Sequence, residues 1–269
     1  MQRNVSDPLW LTLHDLAVDL AREAGQIQRN RYETKLDIRT KSASIDLVTE
    51  VDQACEALII QGIRNRRPED AILAEEGGGE DDPSAEWRWI IDPLDGTTNF
   101  AHGFPRFCVS IGLEYRQQAC IGVVYDPLMD ELFHAIRGAG AWLGTRRLKV
   151  SSEKDLGRAL VATGFAYDVH RSASDNLTEF GRVLKATRGI RRDGSAALDL
   201  CYVAAGRLDA YWEMKLHAWD VAAGNLIVEE AGGRVSASDG TPAPRDGAQV
   251  VASNGALHDD ILTLLRTGN

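Results

Sequence analysis

The sequence predicts an α/β protein built on mixed sheets, and three observations carry that expectation. Apolar residues recur at helical spacing near the start. Three strand-like runs at 109–115, 119–125 and 131–136 follow one another with short polar turns between them, and through the second half helices and strands interleave without a strict βαβ rhythm. Consecutive strands joined by short turns form a meander, so their sheet is at least partly antiparallel.

Taken in order, the first helix is expected from Asp7-Pro8, with Pro in its first turn and an apolar face of Leu13, Leu16, Ala17, Leu20, Ala24 and Ile27. Thr49 can cap a second helix, whose apolar face is Val51, Cys55, Leu58, Ile59 and Ile63 and which stops in the basic run before Pro68. Short apolar strands are expected at 71–74 and 87–91, ahead of the meander. Gly138 and Gly140 follow the meander with no helix pattern behind them, so they mark a turn rather than a dinucleotide-binding fingerprint. Next come a strand at 159–163, a helix at 173–185 and a helix at 195–205 with small residues on its packing face. A short strand at 210–212, a helix through 219–231, two strands and a final helix complete the chain. No repeat, low-complexity tract or long linker interrupts it, so a single domain over residues 1–269 is expected, with a composition shift near 149–154 as a candidate subdomain seam.

The chain has 269 residues, 44% hydrophobic and 26% charged, with only 8 prolines, which is the balance of a folded globular protein rather than a disordered or collagenous one. Lys and Arg number 30 against 40 Asp and Glu, a net charge of −10 that repels phosphate backbones and anionic lipid. Direct nucleic-acid and membrane partners are therefore not expected. An acidic protein can still take an anionic small molecule where its carboxylates hold divalent cations that invert the local sign. No stretch approaches the ~20 apolar residues that span a bilayer, and the opening residues lack a basic-then-apolar leader, so the expected compartment is the cytoplasm. The four cysteines, Cys55, Cys108, Cys120 and Cys201, sit singly in apolar runs and read as buried, reduced core residues.

The chemistry concentrates in Trp89-Ile-Ile-Asp-Pro-Leu-Asp-Gly-Thr-Thr-Asn-Phe-Ala-His-Gly-Phe-Pro105. An apolar strand ends in Asp92 and Asp95 around a Pro93 turn, followed by Gly96 and two hydroxyls. On a regular strand, residues three apart face opposite sides, whereas at a strand-to-turn exit they can converge on one point. Convergent hard oxygen ligands suit Mg²⁺. Gly96-Thr97-Thr98 can offer free backbone N–H groups to a phosphate at the start of a turn or short helix. An EF-hand reading fails because Leu94, Gly96 and Gly103 stand where oxygen ligands are needed. The aspartyl-nucleophile D-x-D-G-T pattern fails because two residues separate Asp92 from Asp95. Glu75-Glu76 closes an apolar strand and meets Gly77-Gly78-Gly79, and Trp219-Asp220 opens a small-residue helix in which Asp220 could equally be an N-cap. The chain carries no G-x-S-x-G elbow and no P-loop, so no side-chain nucleophile of comparable context competes. His102 and His217 flank these motifs and read as packing or hydrogen-bonding residues.

Taken together, these segments resemble the inositol monophosphatase family of Mg²⁺-dependent phosphatases. The resemblance is carried, in the family's order, by Asp46-Leu-Val-Thr-Glu-Val-Asp52, Ala74-Glu-Glu76, Asp92-Pro-Leu-Asp-Gly-Thr-Thr-Asn-Phe100, Gly194-Ser-Ala-Ala197, Trp219-Asp-Val-Ala-Ala-Gly224 and Glu229-Glu-Ala-Gly-Gly233. It implies a layered α-β-α-β-α sandwich, homodimer assembly, and lithium-sensitive hydrolysis of a phosphate monoester with two or three Mg²⁺ ions per site. By position it implies that Glu75, Asp92 and the Leu94 carbonyl hold one metal and that Asp92, Asp95 and Asp220 hold a second. Asp52 and Thr97 would orient the attacking water, with Glu75 among the catalytic groups. Gly96 and Thr97 would receive the phosphate. Ala196 would line the substrate pocket, where Asp95 and Asp220 also face the substrate, and Glu213 of Tyr211-Trp-Glu213 would accept polyol hydroxyls. Lys41 matches a position near the metals. Inositol 1-phosphate is the leading substrate, with fructose 1,6-bisphosphate and a regulatory binding role on the same fold as the alternatives. The family often has Ser where Gly77 stands, which removes a hydroxyl that could steady the Glu75 loop, and the choice of Glu75 over Glu76 rests on alignment.

Overall fold

The computed structural model describes residues 8–41 and 47–266, so Asp7 and Asp46 lie outside the described residues. The first helix, Pro8–Arg31 (α1), buries Leu13, Leu16, Ala17, Leu20 and Ala24 on the face that their spacing predicts. A hairpin of Ile38–Thr40 (β1) and Leu47–Thr49 (β2), unforeseen in the sequence, leads into Glu50–Arg66 (α2). Thr49 caps α2: its hydroxyl accepts the Val51 N–H at 3.1 Å, and Asp52 returns a carboxylate oxygen to the Thr49 N–H at 2.9 Å.

A seven-stranded sheet runs in the order Ala71–Ala74 (β3), Trp87–Asp95 (β4), Cys108–Tyr115 (β5), Gln118–Asp126 (β6), Glu131–Ile136 (β7), Gly140–Leu143 (β8) and Arg146–Arg147 (β9). Only β3 and β4 pair in parallel; the meander is antiparallel as its short turns require. The Gly138–Gly140 turn does turn the chain, and it feeds β8 back onto β7. All nine residues of β4 are buried, because helices cover both faces of the sheet.

Residues 148–159 pass from this sheet to a second one of five strands. There Leu160–Thr163 (β10), Gly189–Arg191 (β11), Ala210–Met214 (β12), Arg234–Ser236 (β13) and Gln249–Ser253 (β14) stand in the order β11-β10-β12-β14-β13. Helices α1 and α2 pack on the outer face of the larger sheet. Ala196–Ala204 (α5) and Ala218–Glu230 (α6) fill the space between the sheets, and Leu177–Ala186 (α4) and His258–Arg266 (α7) cover the far face of the smaller one. This is the expected five-layer sandwich. Thr97–Ala101 (α3) is a single short turn following β4. All four cysteines are buried and free, and no helix of the described residues is long and apolar enough to cross a membrane.

The helix expected at 173–185 starts later, at Leu177. Asn176 stands before it with a left-handed φ of 65°. Its amide nitrogen donates to Thr163 Oγ1 at 2.9 Å and to the Gly164 carbonyl at 2.8 Å, and its oxygen accepts from Trp212 Nε1 at 2.7 Å. These buried bonds to the second sheet outweigh a further turn of helix, in which Asn is a poor residue.

Helix α7 is pinned by His258, whose ring is wholly buried, with Nε2 2.8 Å from Ser236 Oγ and Nδ1 2.9 Å from Ser253 Oγ. Burial, helped by the Arg234 and Arg266 charges, lowers its pKa to about 4. The folded ring therefore binds fewer protons than the unfolded one, and the stability it contributes is present above pH 6.5 and lost as pH falls through 4. The thermal midpoint of the wild type is expected to fall more steeply across that window than that of His258→Gln; equal slopes would remove His258 from the acid response.

Candidate active site

Strand β4 continues past Ile91 through both aspartates instead of breaking at a turn. Its register to β5 shifts between Asp92, opposite Ser110, and Asp95, opposite Cys108, so three residues of β4 span what two residues of β5 span. This bulge inverts the side-chain parity, which brings two carboxylates three residues apart to the same side. Pro93 sits within the bulge, where its missing N–H costs no ladder bond. The Gln28 amide of α1 holds the bulge from behind, donating to the Pro93 carbonyl at 2.7 Å and to that of Cys108 at 3.4 Å. Asp92 Oδ1 accepts the Leu94 N–H at 2.9 Å, which fixes its rotamer. Gly96 then turns the chain with φ 100°, and a Cβ there would stand 2.8 Å from the Arg106 carbonyl, so only glycine serves.

Asp52 lies one layer below. Its Oδ2 accepts from the Thr49 hydroxyl at 2.6 Å, and its Oδ1 from the Thr97 hydroxyl at 2.9 Å. The same Thr97 oxygen lies 3.1 Å from the Leu94 carbonyl. Burial raises the Asp52 pKa, against the hydrogen bonds from Thr49 and Thr97.

Asp95 is met by the first turn of α5: Ser195 Oγ and the Ala197 N–H each donate to its Oδ2 at 2.7 Å. Those bonds and the positive end of the helix favour the anion, yet burial prevails and its pKa rises to about 6. Asp220 is the third residue of α6, with His217 rather than Asp220 at the N-cap. Asp220 Oδ2 accepts the His217 N–H at 2.6 Å, so Asp220 closes the cap from the N3 position while its carboxylate also stands in the acidic cluster. His217 stacks on Trp219 with ring centroids 4.7 Å apart, as a packing residue would.

Oxygen atoms of Asp92, Asp95 and Asp220 all lie within 4.8 Å of one another. Burial, then the charges of Glu75, Asp95 and Asp220, push the Asp92 pKa far up; burial and Asp95 do the same to Asp220. Three anions cannot share so small a space without a counter-charge, and an all-oxygen donor set fits a hard divalent cation. Glu75 borders the same cavity, and Lys41 Nζ donates to Glu75 at 2.8 Å and to Glu76 at 2.5 Å. Burial lifts Glu76 to about 7.

Glu75, Asp95 and Asp220 line a cavity of about 270 Å³. Gly96, Thr97, Ala196 and Glu213 of β12 line it too. Tyr211, two residues earlier on the same face of β12, donates its hydroxyl to Glu213. Burial raises Glu213 to about 7, against that bond and the Arg192 charge. Of the residues that the sequence proposes, Glu75, Asp95, Gly96, Thr97, Ala196, Glu213 and Asp220 line the cavity, Asp52 and the Leu94 carbonyl meet the Thr97 hydroxyl, and Asp92 lies beside Asp95 and Asp220.

Several residues of the site are not named by sequence reasoning. Gln28 is a polar residue one turn after Ala24 on the apolar face of α1, which is the signal that could have revealed it. Asn99 Nδ2 ties α3 to the Arg106 and Asp193 carbonyls at 2.7 Å each. Ser195 lies in a quoted motif, but its bond to Asp95 depends on how α5 docks. Arg192, also a cavity residue, carries no local signal.

Comparison with known proteins agrees with this architecture. A model described as the inositol monophosphatase family matches residues 10–268. The chain is 44% identical over 252 residues to the inositol-1-monophosphatase of Synechocystis, covering 94% of this chain and 87% of that one. It is 45% identical over 262 residues to the Nus factor SuhB of Pseudomonas aeruginosa, covering 94% and 95%. The inositol monophosphatase structure from Anabaena superposes with a TM-score of 0.87 at 42% identity, covering 96% of this chain and 97% of that one. The chain belongs to the inositol monophosphatase family and is a phosphatase.

Proposed function

We propose that the protein hydrolyses a small-molecule phosphate monoester with Mg²⁺, and that inositol 1-phosphate is its leading substrate. The observation that carries this reading is the convergence of Asp92, Asp95 and Asp220 beside a cavity that Glu213 also lines. Mg²⁺ bound there would lower the pKa of a water and neutralise the phosphoryl oxygens and the leaving alkoxide, as in sites with two metals roughly 3.5–4 Å apart.

The chain's own groups divide the remaining tasks. Glu75, Asp92, Asp95, Asp220 and the Leu94 carbonyl are the metal ligands in this reading, and Glu75 is preferred to Glu76 because it borders the cavity and its charge acts on Asp92. Thr97, hydrogen-bonded to Asp52, orients the attacking water. The Gly96 and Thr97 N–H groups at the start of α3 receive phosphoryl oxygens, turning the positive end of backbone dipoles towards developing charge. Glu213 accepts hydroxyls of a neutral polyol, and Ala196 closes the pocket beside it. Fructose 1,6-bisphosphate is the rival ester. The same family resemblance supports a homodimer.

A second reading, a regulatory binding protein on the same fold, is favoured by relatives named Nus factor SuhB. Capture of a transcription component that survives Asp92→Asn would support it alongside catalysis. Retention of the acidic cluster supports catalysis, since a binding role gives no reason to keep convergent buried charges.

Phosphate release from inositol 1-phosphate and fructose 1,6-bisphosphate, with and without Mg²⁺, tests the proposal. Asp92→Asn is expected to lower turnover by more than the roughly 100-fold seen for groups that merely orient a ligand, while keeping a cooperative melt. Near-wild-type turnover of that variant would falsify the metal assignment. Glu213→Ala is expected to raise KM for inositol 1-phosphate about tenfold, the worth of one hydrogen bond of ~1.5 kcal/mol, and to change KM for p-nitrophenyl phosphate little. Equal shifts for both esters would show that Glu213 does not read the polyol.

A further inference from the structure

The Glu75 loop has no side chain at position 77 to steady it. Gly77 takes a left-handed φ of 82° and is followed by two more glycines, so the run has little side-chain packing of its own. Its backbone is anchored instead from α2. Glu56 is buried, and its carboxylate accepts the Glu76 N–H at 2.7 Å through Oε2 and the Gly78 N–H at 2.8 Å through Oε1. A carboxylate receiving two N–H groups of one turn is a charge-assisted, two-point clamp, stronger and more directional than a single neutral bond. Two weaker backbone bonds complete the turn, from the Glu75 N–H to the Ile91 carbonyl and from the Gly77 N–H to the Ala74 carbonyl, each at 3.2 Å.

Glu56 lies four residues after Asp52, so the two share a face of α2. One rigid helix thereby carries both Asp52, which bonds Thr97, and the clamp on the loop that presents Glu75. We infer that Glu56 is a positioning residue for the metal site, fixing the 75–78 turn so that the Glu75 carboxylate stands beside Asp92. This inference rests on the reading of Glu75 as a metal ligand. It also accounts for Gly78, whose φ is ordinary: a Cβ there would stand 2.7 Å from Glu56 Oε1 and 3.1 Å from Ile60 Cδ1, so any side chain would displace the clamp.

Two variants disturb the clamp from its two sides. Glu56→Gln replaces one acceptor with an amide that faces a backbone donor, and Gly78→Ala leaves the carboxylate intact but pushes it aside. Mg²⁺ binding by calorimetry on the metal-free proteins is expected to weaken about tenfold or more in both, the range for groups that orient a ligand. Turnover lost at low Mg²⁺ should be recovered by raising Mg²⁺, a split that a merely structural role would not give. If Glu56→Gln does not fold, Gly78→Ala, which buries no altered charge, decides alone. Unchanged Mg²⁺ affinity in folded variants, beside a wild type that binds Mg²⁺, overturns this inference only. A wild type that binds no Mg²⁺ overturns the reading of Glu75 and this inference with it.

Discussion

Between Asp92 and Asp95, strand β4 carries one residue more than the stretch of β5 opposite, and the geometry of the site descends from that insertion. Without it, the pleat would send the two carboxylates to opposite faces of the sheet, one towards α2 and one towards α6. With it, both reach the end of the strand on one side, and the chain leaves through Gly96 into α3 with N–H groups directed the same way. The bulge is not free to anneal, because Gln28 of α1 bonds the Pro93 carbonyl from the buried side. Packing of the first helix and geometry of the site are therefore one problem: α1 docks by its apolar stripe, and the polar residue at the end of that stripe holds the bulge.

The electrostatics follow from the same placement. Concentrating Asp92, Asp95 and Asp220 at the end of a fully buried strand raises the cost of ionising each. The fold offsets part of that cost with the N–H groups and Ser195 hydroxyl at the start of α5 and with the His217 N–H at the start of α6. What remains uncompensated is a demand for positive charge at one point, which a divalent cation meets. Lys41, bonded to Glu75 and Glu76 at the margin of the cluster, meets a share of it. A chain with net charge −10 can in this way hold an anionic ester: the local sign at the cavity is set by the cation it recruits and not by the protein as a whole.

Helical and strand periodicity located α1, α2, the meander and α6 because each has one buried face that the spacing of apolar residues reports. The elements it missed lack that signal. β1 and β11 are three residues each and largely exposed, too short for a period to show, and the start of α4 was displaced by Asn176, whose partners Thr163 and Trp212 are remote in sequence. The site divides in the same manner. Asp92, Asp95, Gly96 and Thr97 form one contiguous run and could be recognised by residue type and spacing. Glu56 and Gln28 act through bonds to backbone 20 and 65 residues away, and although Gln28 interrupts the apolar face of α1, the sequence does not say which backbone either side chain meets.

The sequence by itself determined the fold class and the family, because those reside in local periodicity and in short motifs whose residue types have few other uses. Only the tertiary structure decided which oxygens converge. It brought Asp220 from α6 and Glu213 from β12 to a cavity that Asp95 of β4 also lines, bonded Asp220 to the cap of its own helix, and held the Glu75 loop from α2. These are contacts between segments far apart along the chain, and the physical reason they escape a linear reading is that hydrogen-bond partners and shared burial are set by how layers pack rather than by neighbours in sequence.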